Sequence, residues 1–265
     1  MRRFLILIFA SGRGFLSVVL VALVLILSYA IFRASRGKLP KIKSFPAIEA
    51  IPEAVGRAAE MGKPIHLSPA FGGMHDARAP MTIAGLAILS RVAEEAAKRG
   101  VSMRFNIARS HMVPVVEELM KSAYAKAGKP EGYTPDIVYY VGETQAPYQA
   151  AVMGYMYREK PAASFLFGPA YYEAITILGS AAVIGAFQIA GTAREFYQGY
   201  VIATCDYSLI LDELYAAAAA ITKKPEDMGS IAGLDDSKLL TMALIVLSAI
   251  LGTAGISWWQ ALVKW

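Results

Sequence analysis

The chain is predicted to be an α/β protein: a Rossmann-like three-layer domain with a mostly parallel sheet, flanked by amino- and carboxyl-terminal transmembrane helices. Three observations predict it. Residues 15–32 and 239–263 hold no charged side chain, and each run meets the roughly 18 apolar residues that cross a hydrocarbon core as a helix. Between them, short runs apolar on both faces alternate with longer segments of helical period, the pattern of a parallel sheet covered by helices.

The elements follow in order. Residues 1–14 are basic and apolar; Phe4–Ala10 behind Arg2 and Arg3 has the look of a signal-peptide core, but Ser11-Gly12-Arg13-Gly14 interrupts it and a full span follows at once. An uncleaved anchor with an interfacial or broken first helix is the reading. A basic linker covers 33–50, and the α/β domain covers 51–222. Within it a helix is expected over Pro52–Met61, a strand over Pro64–Ser68, and a helix over Met81–Arg99. That helix is expected to bury Ile83, Leu86, Ile88, Leu89 and Val92 and to stop at Gly100, since glycine adopts the left-handed conformation that ends helices.

Ser102–Ala108 is the second strand, and Met112–Ala127 the second long helix, with Pro114 in its first turn and Gly128 just past its end. A strand over Asp136–Val141, apolar on both faces, leads to a helix over Gln145–Lys160. A strand over Ala163–Phe167 and a helix over Tyr171–Ser180 come next, then strands over Val183–Ala190 and Tyr200–Cys205, and a helix over Leu209–Ile221. Ala174–Gly191 is 18 residues without a charge. Its glycines and Gln188 favour a buried helix and strand, and a third membrane span is the alternative. A linker, 223–238, leads to the second span.

Charge distribution narrows the class. The formal net charge is +5, but residues 1–43 carry eight bases and no acid, so the rest of the chain holds 18 bases against 21 acids. A basic excess beside a membrane helix sets topology and meets lipid headgroups, so membrane lipids are expected partners and nucleic acid is not. Five bases follow the first span against three before it. This places the domain in the cytoplasm and both termini outside the cell membrane. Neither span carries a charge, which argues against an ion pathway or proton relay. The single cysteine, Cys205, excludes an intrachain disulfide.

In an open parallel sheet, ligands bind beyond the carboxyl ends of the strands. Those ends supply the candidate ligand residues: Ser68, Gly72, Gly73, His75, Asp76 and Arg78 after the first strand, Arg109 and His111 after the second, Glu143 after the third, Thr192 after the fifth, Asp206 after the sixth. Adjacent glycines let backbone approach a ligand, and amides at a helix start face anions, so an anionic small molecule is the expected ligand. Neither a dinucleotide fingerprint nor a phosphate-binding Gly-Lys-Ser/Thr is present, and no cofactor is specified.

Other constellations carry less. The His, Cys and Asp residues lack metal-ligand spacing, so no metal is expected. His66 sits mid-strand, as a hydrogen-bonded core histidine would. Ser68, His111 and Asp206 allow a triad to be drawn, but Gly-x-Ser-x-Gly is absent. Glu143 and Glu173 are a conceivable carboxylate pair, and Asp212-Glu213 suits the first turn of the last helix of the domain. Fourteen tyrosines, many in the second half, and the small-residue pair Ser248/Gly252 in the second span point to a homo-oligomer or membrane complex.

Ile65-His66-Leu67-Ser68 with Gly72-Gly73, Thr82-Ile83-Ala84-Gly85-Leu86, Gln188-Ile189-Ala190-Gly191-Thr192-Ala193 and Ala203-Thr204-Cys205-Asp206-Tyr207 together resemble a family of bacterial and archaeal membrane proteins catalogued only as a domain of unknown function. The resemblance covers about residues 50–222 and carries no established activity. It implies that the strand-end motifs belong to one shared module. The chain departs from the pattern at Leu211-Asp212-Glu213, where a Gly-Glu-Glu-like turn is expected.

Two functions are therefore expected in order: a membrane-anchored ligand-binding or scaffolding module, and, as the alternative, a membrane-tethered hydrolase or transferase on an anionic substrate. Convergence of His75, Asp76, Arg78, Arg109 and His111 on one pocket would favour catalysis; their separate projection into solvent would disfavour it.

Overall fold

Six strands, β1 (Ile65–Ser68), β2 (Met103–Ile107), β3 (Val138–Tyr140), β4 (Ala163–Phe167), β5 (Phe187–Thr192) and β6 (Tyr207–Ile210), form one sheet in the order β3-β2-β1-β4-β5-β6, every pair parallel. A computed structural model describes residues 14–255. The chain divides into two units, Lys43–Thr222, which holds the sheet, and Met1–Ile42 with Lys223–Trp265.

Helices cover both faces of the sheet. On one side Ile65, Leu67, Phe105, Phe165 and Ile189 pack against α2 (Ile51–Met61), α3 (Ala79–Arg99), α4 (Val113–Lys126) and α8 (Glu213–Thr222). On the other, Leu166 and Ala190 meet α5 (Gln145–Glu159), α6 (Tyr172–Val183) and α7 (Gln198–Thr204), with Tyr148, Ile177 and Leu178 fully buried. Coverage on both sides explains why β4 and β5 read as continuous buried runs. The helix over 79–99 ends where Gly100 takes φ 69°. Ile83 is the exception to its expected inward face: it is exposed, while Thr82 and Gly85 are buried.

Two expected elements are corrected. Tyr200–Cys205 is not a strand: residues 198–204 are helix α7, and the sixth strand is Tyr207–Ile210. The third strand shrinks to Val138–Tyr140 at the sheet edge, with Tyr139 and Tyr140 exposed rather than buried. The uncharged run 174–191 forms, as its glycines and Gln188 favoured, a buried helix and strand, α6 and β5, within the core of the α/β unit, and the alternative of a membrane span falls away.

The face under α5 carries a polar row. Arg104, His66, Ser164 and Gln188 stand side by side in register across β2, β1, β4 and β5. His66 is fully buried, its Nδ1 lies 3.0 Å from Ser164 Oγ, and burial pushes its pKa down to about 3. The unfolded chain binds a proton near pH 6.5 that the folded chain refuses. This stability is complete above pH 6.5 and is lost as pH falls from there toward 3, by about 1.4 kcal/mol per pH unit. Urea unfolding from pH 7.5 to 4.5 is expected to show a slope one proton shallower in His66→Asn than in the parent. Equal slopes would mean that His66 is not held neutral.

The second unit pairs α1 (Gly14–Ser35) with α9 (Pro225–Thr253). Gly233 packs on Leu27 and Gly229 on Ile31 and Ala34, so the two helices run antiparallel. This small-x-x-x-small contact lies in the segment read as a linker, which is helical from Pro225. At Gly252, half of the pair expected to pack, an added methyl would meet nothing within 4 Å among the described residues. Among the described residues one helix, Ser17–Ser35, is long and apolar enough to cross a membrane, with mean hydropathy 2.3. The expected second span begins inside α9, and its part from 256 to 263, like the amino-terminal segment 1–13, lies outside the described residues.

Candidate functional site

The strand order β3-β2-β1-β4-β5-β6 puts the topological switch point between β1 and β4, where such sheets commonly bind ligands. Here backbone fills it. A Cβ at Gly168, whose φ is +150°, would stand 2.5 Å from the Pro69 carbonyl oxygen, and one at Gly85 would stand 2.2 Å from that of Phe167. The loops leaving β1 and β4 therefore touch each other. Ser68 and Thr192 act as ties at this seam: Ser68 Oγ pairs with Tyr148 Oη at 2.6 Å and accepts from Ala70 N–H, while Thr192 Oγ1 accepts from the amides of Ala170 and Arg194 at 3.3 Å. Both are fully buried. Gly72 is equally enclosed, against Thr82 and Pro69.

The open space lies to one side, over β1, β2 and β3. Loops from these three strands bring Gly73, His75, Asp76, Arg109, His111 and Glu143 around a pocket of about 280 Å³. Four of the five side chains expected to converge do so. Arg78 does not: it leaves the pocket and its guanidinium lies 5.2 Å from the centre of the Tyr171 ring.

Each wall is fixed by a specific contact. His111 Nε2 accepts the Met74 amide at 3.2 Å, which puts the proton of the neutral ring on Nδ1 and pins the glycine loop. The His75 ring sits 4.1 Å from it, centroid to centroid. Burial, then the neighbouring His75, hold the His111 pKa below its usual value, with Arg109 adding to this and Glu143 opposing it. Glu143 accepts both the amide and the hydroxyl of Ser110, and these bonds, ahead of Arg109, hold its carboxyl below the ordinary range. The Arg109 guanidinium lies 4.3 Å from the Phe71 ring centre, so one face is occupied by the ring. Asp76 Oδ1 accepts the Arg78 amide at 2.8 Å and closes the turn.

Two expected site contacts are not made. Asp206 precedes β6 and so stands at the amino edge of the sheet, where its Oδ2 accepts the Gln188 amide at 2.7 Å. The triad of Ser68, His111 and Asp206 therefore cannot assemble. Glu173 is buried and accepts from Tyr171 N–H and Gln145 Nε2, whereas Glu143 is exposed and accepts from Ser110, so each carboxyl has its own partners; burial raises the Glu173 pKa. Among the described residues no group of three or more His, Cys, Asp or Glu side chains is placed to hold a metal ion.

Phe71 and Ser110 lie in the strand-end loops but not among the candidate ligand residues, and Arg194 lies outside both. Arg194 lies 4.1 Å from the Tyr171 ring that Arg78 also approaches. The strand-end rule reaches Ser110, beside Arg109 and His111, and Phe71, beside Gly72; Arg194 has no such signal.

The chain belongs to the family described as Domain of unknown function (DUF6754), whose pattern matches residues 6–263. No curated protein and no solved structure matches it.

Proposed function

We propose that this chain is a membrane-anchored ligand-binding component of a membrane assembly, taking a small anionic molecule into the pocket at the carboxyl ends of β1, β2 and β3. The convergence of His75, Arg109, His111 and Glu143, from three separate loops, carries the reading. At about 280 Å³ the pocket falls just below the ~300–1,000 Å³ of typical small-molecule sites, which favours a ligand of few atoms. Arg109, with one face on Phe71 and its edge free of any ion pair among the described residues, is the anchor for negative charge.

The apolar run 17–35 supports the anchor, and residues 239–263 supply the second. The five bases after the first run support a cytoplasmic α/β unit. Exposed Tyr139, Tyr140, Tyr157 and Tyr172 support a homo-oligomer, with mass in lipid nanodiscs as its test.

Binding is favoured over turnover because two candidate bases are engaged: His111 Nε2 with Met74 N–H, Glu143 with Ser110. The hydrolase or transferase alternative rests on His75, exposed in the same pocket beside His111.

Inorganic phosphate and succinate, titrated into the full chain in nanodiscs, are expected to raise Tm in a dose-dependent way. Arg109→Met is expected to weaken binding at least tenfold, as loss of a charge-assisted contact of about 1.5–3 kcal/mol implies. An unshifted Tm with both anions, or full binding in Arg109→Met, would sink this reading. Hydrolysis of p-nitrophenyl phosphate or acetate that disappears in His75→Ala would move the weight to the enzyme.

A further inference from the structure

The larger cavity of the α/β unit is at the opposite edge of the sheet. It is an open cleft of about 710 Å³ among the amino ends of β1, β2 and β3 and the carboxyl ends of α3, α4 and α5. Its size lies well within the ~300–1,000 Å³ of small-molecule sites. Charges of both signs line it, and they do not pair. Arg104 and Arg158 stand on its wall with Asp136 and Glu159, yet among the described residues none of the four enters an ion pair within 4.0 Å.

Arg104 is held for contact through its edge. Its guanidinium carbon lies 3.8 Å from the centre of the Tyr139 ring and 5.7 Å from that of Tyr155, so aromatic rings occupy its faces. Its Nε is buried without an acceptor, and the Tyr155 hydroxyl beside it is buried without a partner. A buried donor left without an acceptor carries its full desolvation cost. A carboxylate accepts from a guanidinium edge and a phenol together.

The opposite charge has its own place. Three helices deliver their carboxyl ends here, and their partial negative charge favours a cation, as do Asp136 and Glu159. Lys129 is already engaged with the carbonyl of Lys98 at 2.9 Å. A bare anion would meet Arg104 but oppose these groups, and a bare cation would leave Arg104 unmet.

We propose that this amino-edge cavity binds a zwitterion of the amino-acid class, its carboxylate seated on Arg104 and Tyr155 and its ammonium facing Asp136, Glu159 and the helix ends. The site is separate from the strand-end pocket and does not depend on it.

The twenty free L-amino acids, each added to the full chain in nanodiscs, test it by thermal shift and calorimetry. At least one is expected to bind. Blocking its amine by acetylation, or its carboxyl as the amide, is expected to weaken binding tenfold or more. Arg104→Met is expected to abolish it, while Arg104→Lys, which keeps the charge but not the planar edge, weakens it at least tenfold. Melting of each variant without ligand checks folding, and Arg109→Met at the other pocket is expected to leave amino-acid binding unchanged. Binding of none of the twenty overturns the proposal, as does binding that tolerates both blocked forms, survives both Arg104 variants, or is lost in Arg109→Met.

Discussion

Gly85→Ala is expected to destabilise the α/β unit by about 3 kcal/mol, near the top of the range for an inserted methyl. The added carbon would stand 2.2 Å from the carbonyl oxygen of Phe167 and 3.2 Å from the amide nitrogen of Gly168. These are backbone atoms at the end of β4, a central strand, and cannot swing aside as a side chain can. Moving α3 outward instead would open the core around Leu86, Ile88 and Leu89. Against a total stability of roughly 5–15 kcal/mol, such a loss shows directly in urea unfolding. Gly73→Ala is the comparison. Its new carbon meets side chains rather than backbone, the His111 ring at 3.2 Å and Arg109 Cγ at 3.6 Å, and these can give way at a cost of about 1 kcal/mol, with the Met74 bond to His111 weakened. If the two variants unfold at the same urea concentration, backbone contact is not what makes Gly85 necessary.

Gly229→Leu is expected to force α1 and α9 apart. A Cβ there would lie 2.7 Å from the Cα of Ile31 and 2.9 Å from the Cβ of Ala34, with Gly233 one turn on equally close to Leu27. An overpacked contact of this kind costs about 1–3 kcal/mol, enough to lower the paired population tenfold. Spin labels at Leu20 and Met242, both exposed, in a Cys205→Ser background would report the separation in nanodiscs. A longer, broader distance distribution is expected for Gly229→Leu and an unchanged one for Gly252→Leu, where an added Cβ has no atom of the described residues within 4 Å. Equal effects of the two would refute the close crossing at Gly229.

How far the sequence could be read depended on where the determining contacts lie. β4 was legible to the residue because a run apolar on both faces is bounded by Pro161 and Gly168-Pro169. Tyr200–Cys205 misled because β-branched and aromatic residues there fill a helix instead, held by Gln198 Nε2 on the carbonyls of Thr192 and Arg194 and by Tyr200 Oη on that of Ile175. The true edge strand, Tyr207–Ile210, is apolar but for Ser208, and its Leu209 and Ile210 merge in the letters with the apolar helix that follows. That shift alone carried Asp206 to the wrong end of the sheet. In the site, the loops after β1, β2 and β3 were legible since a parallel sheet gathers its carboxyl ends by geometry. The seam at Gly85, Gly168 and Pro69 was not, because it depends on approach in three dimensions between residues far apart in the chain. Gly229-x-x-x-Gly233 was visible in the letters, but it lies among acids, and attention to the uncharged run led to Ser248 and Gly252 instead.

The pairing of α1 with α9 also sets a schedule. Ile31 and Gly229 meet across a separation of 198 residues, so α1 leaves the ribosome long before its partner exists. At about 5–20 residues per second, it waits roughly 10–40 seconds, with Leu27, Ala30 and Ala34 uncovered for the whole interval. Residues 43–222 emerge during that wait, and a domain completed as a unit is finished before the hairpin can close. The contact between α1 and α9 is thus among the last whose two sides are both synthesised.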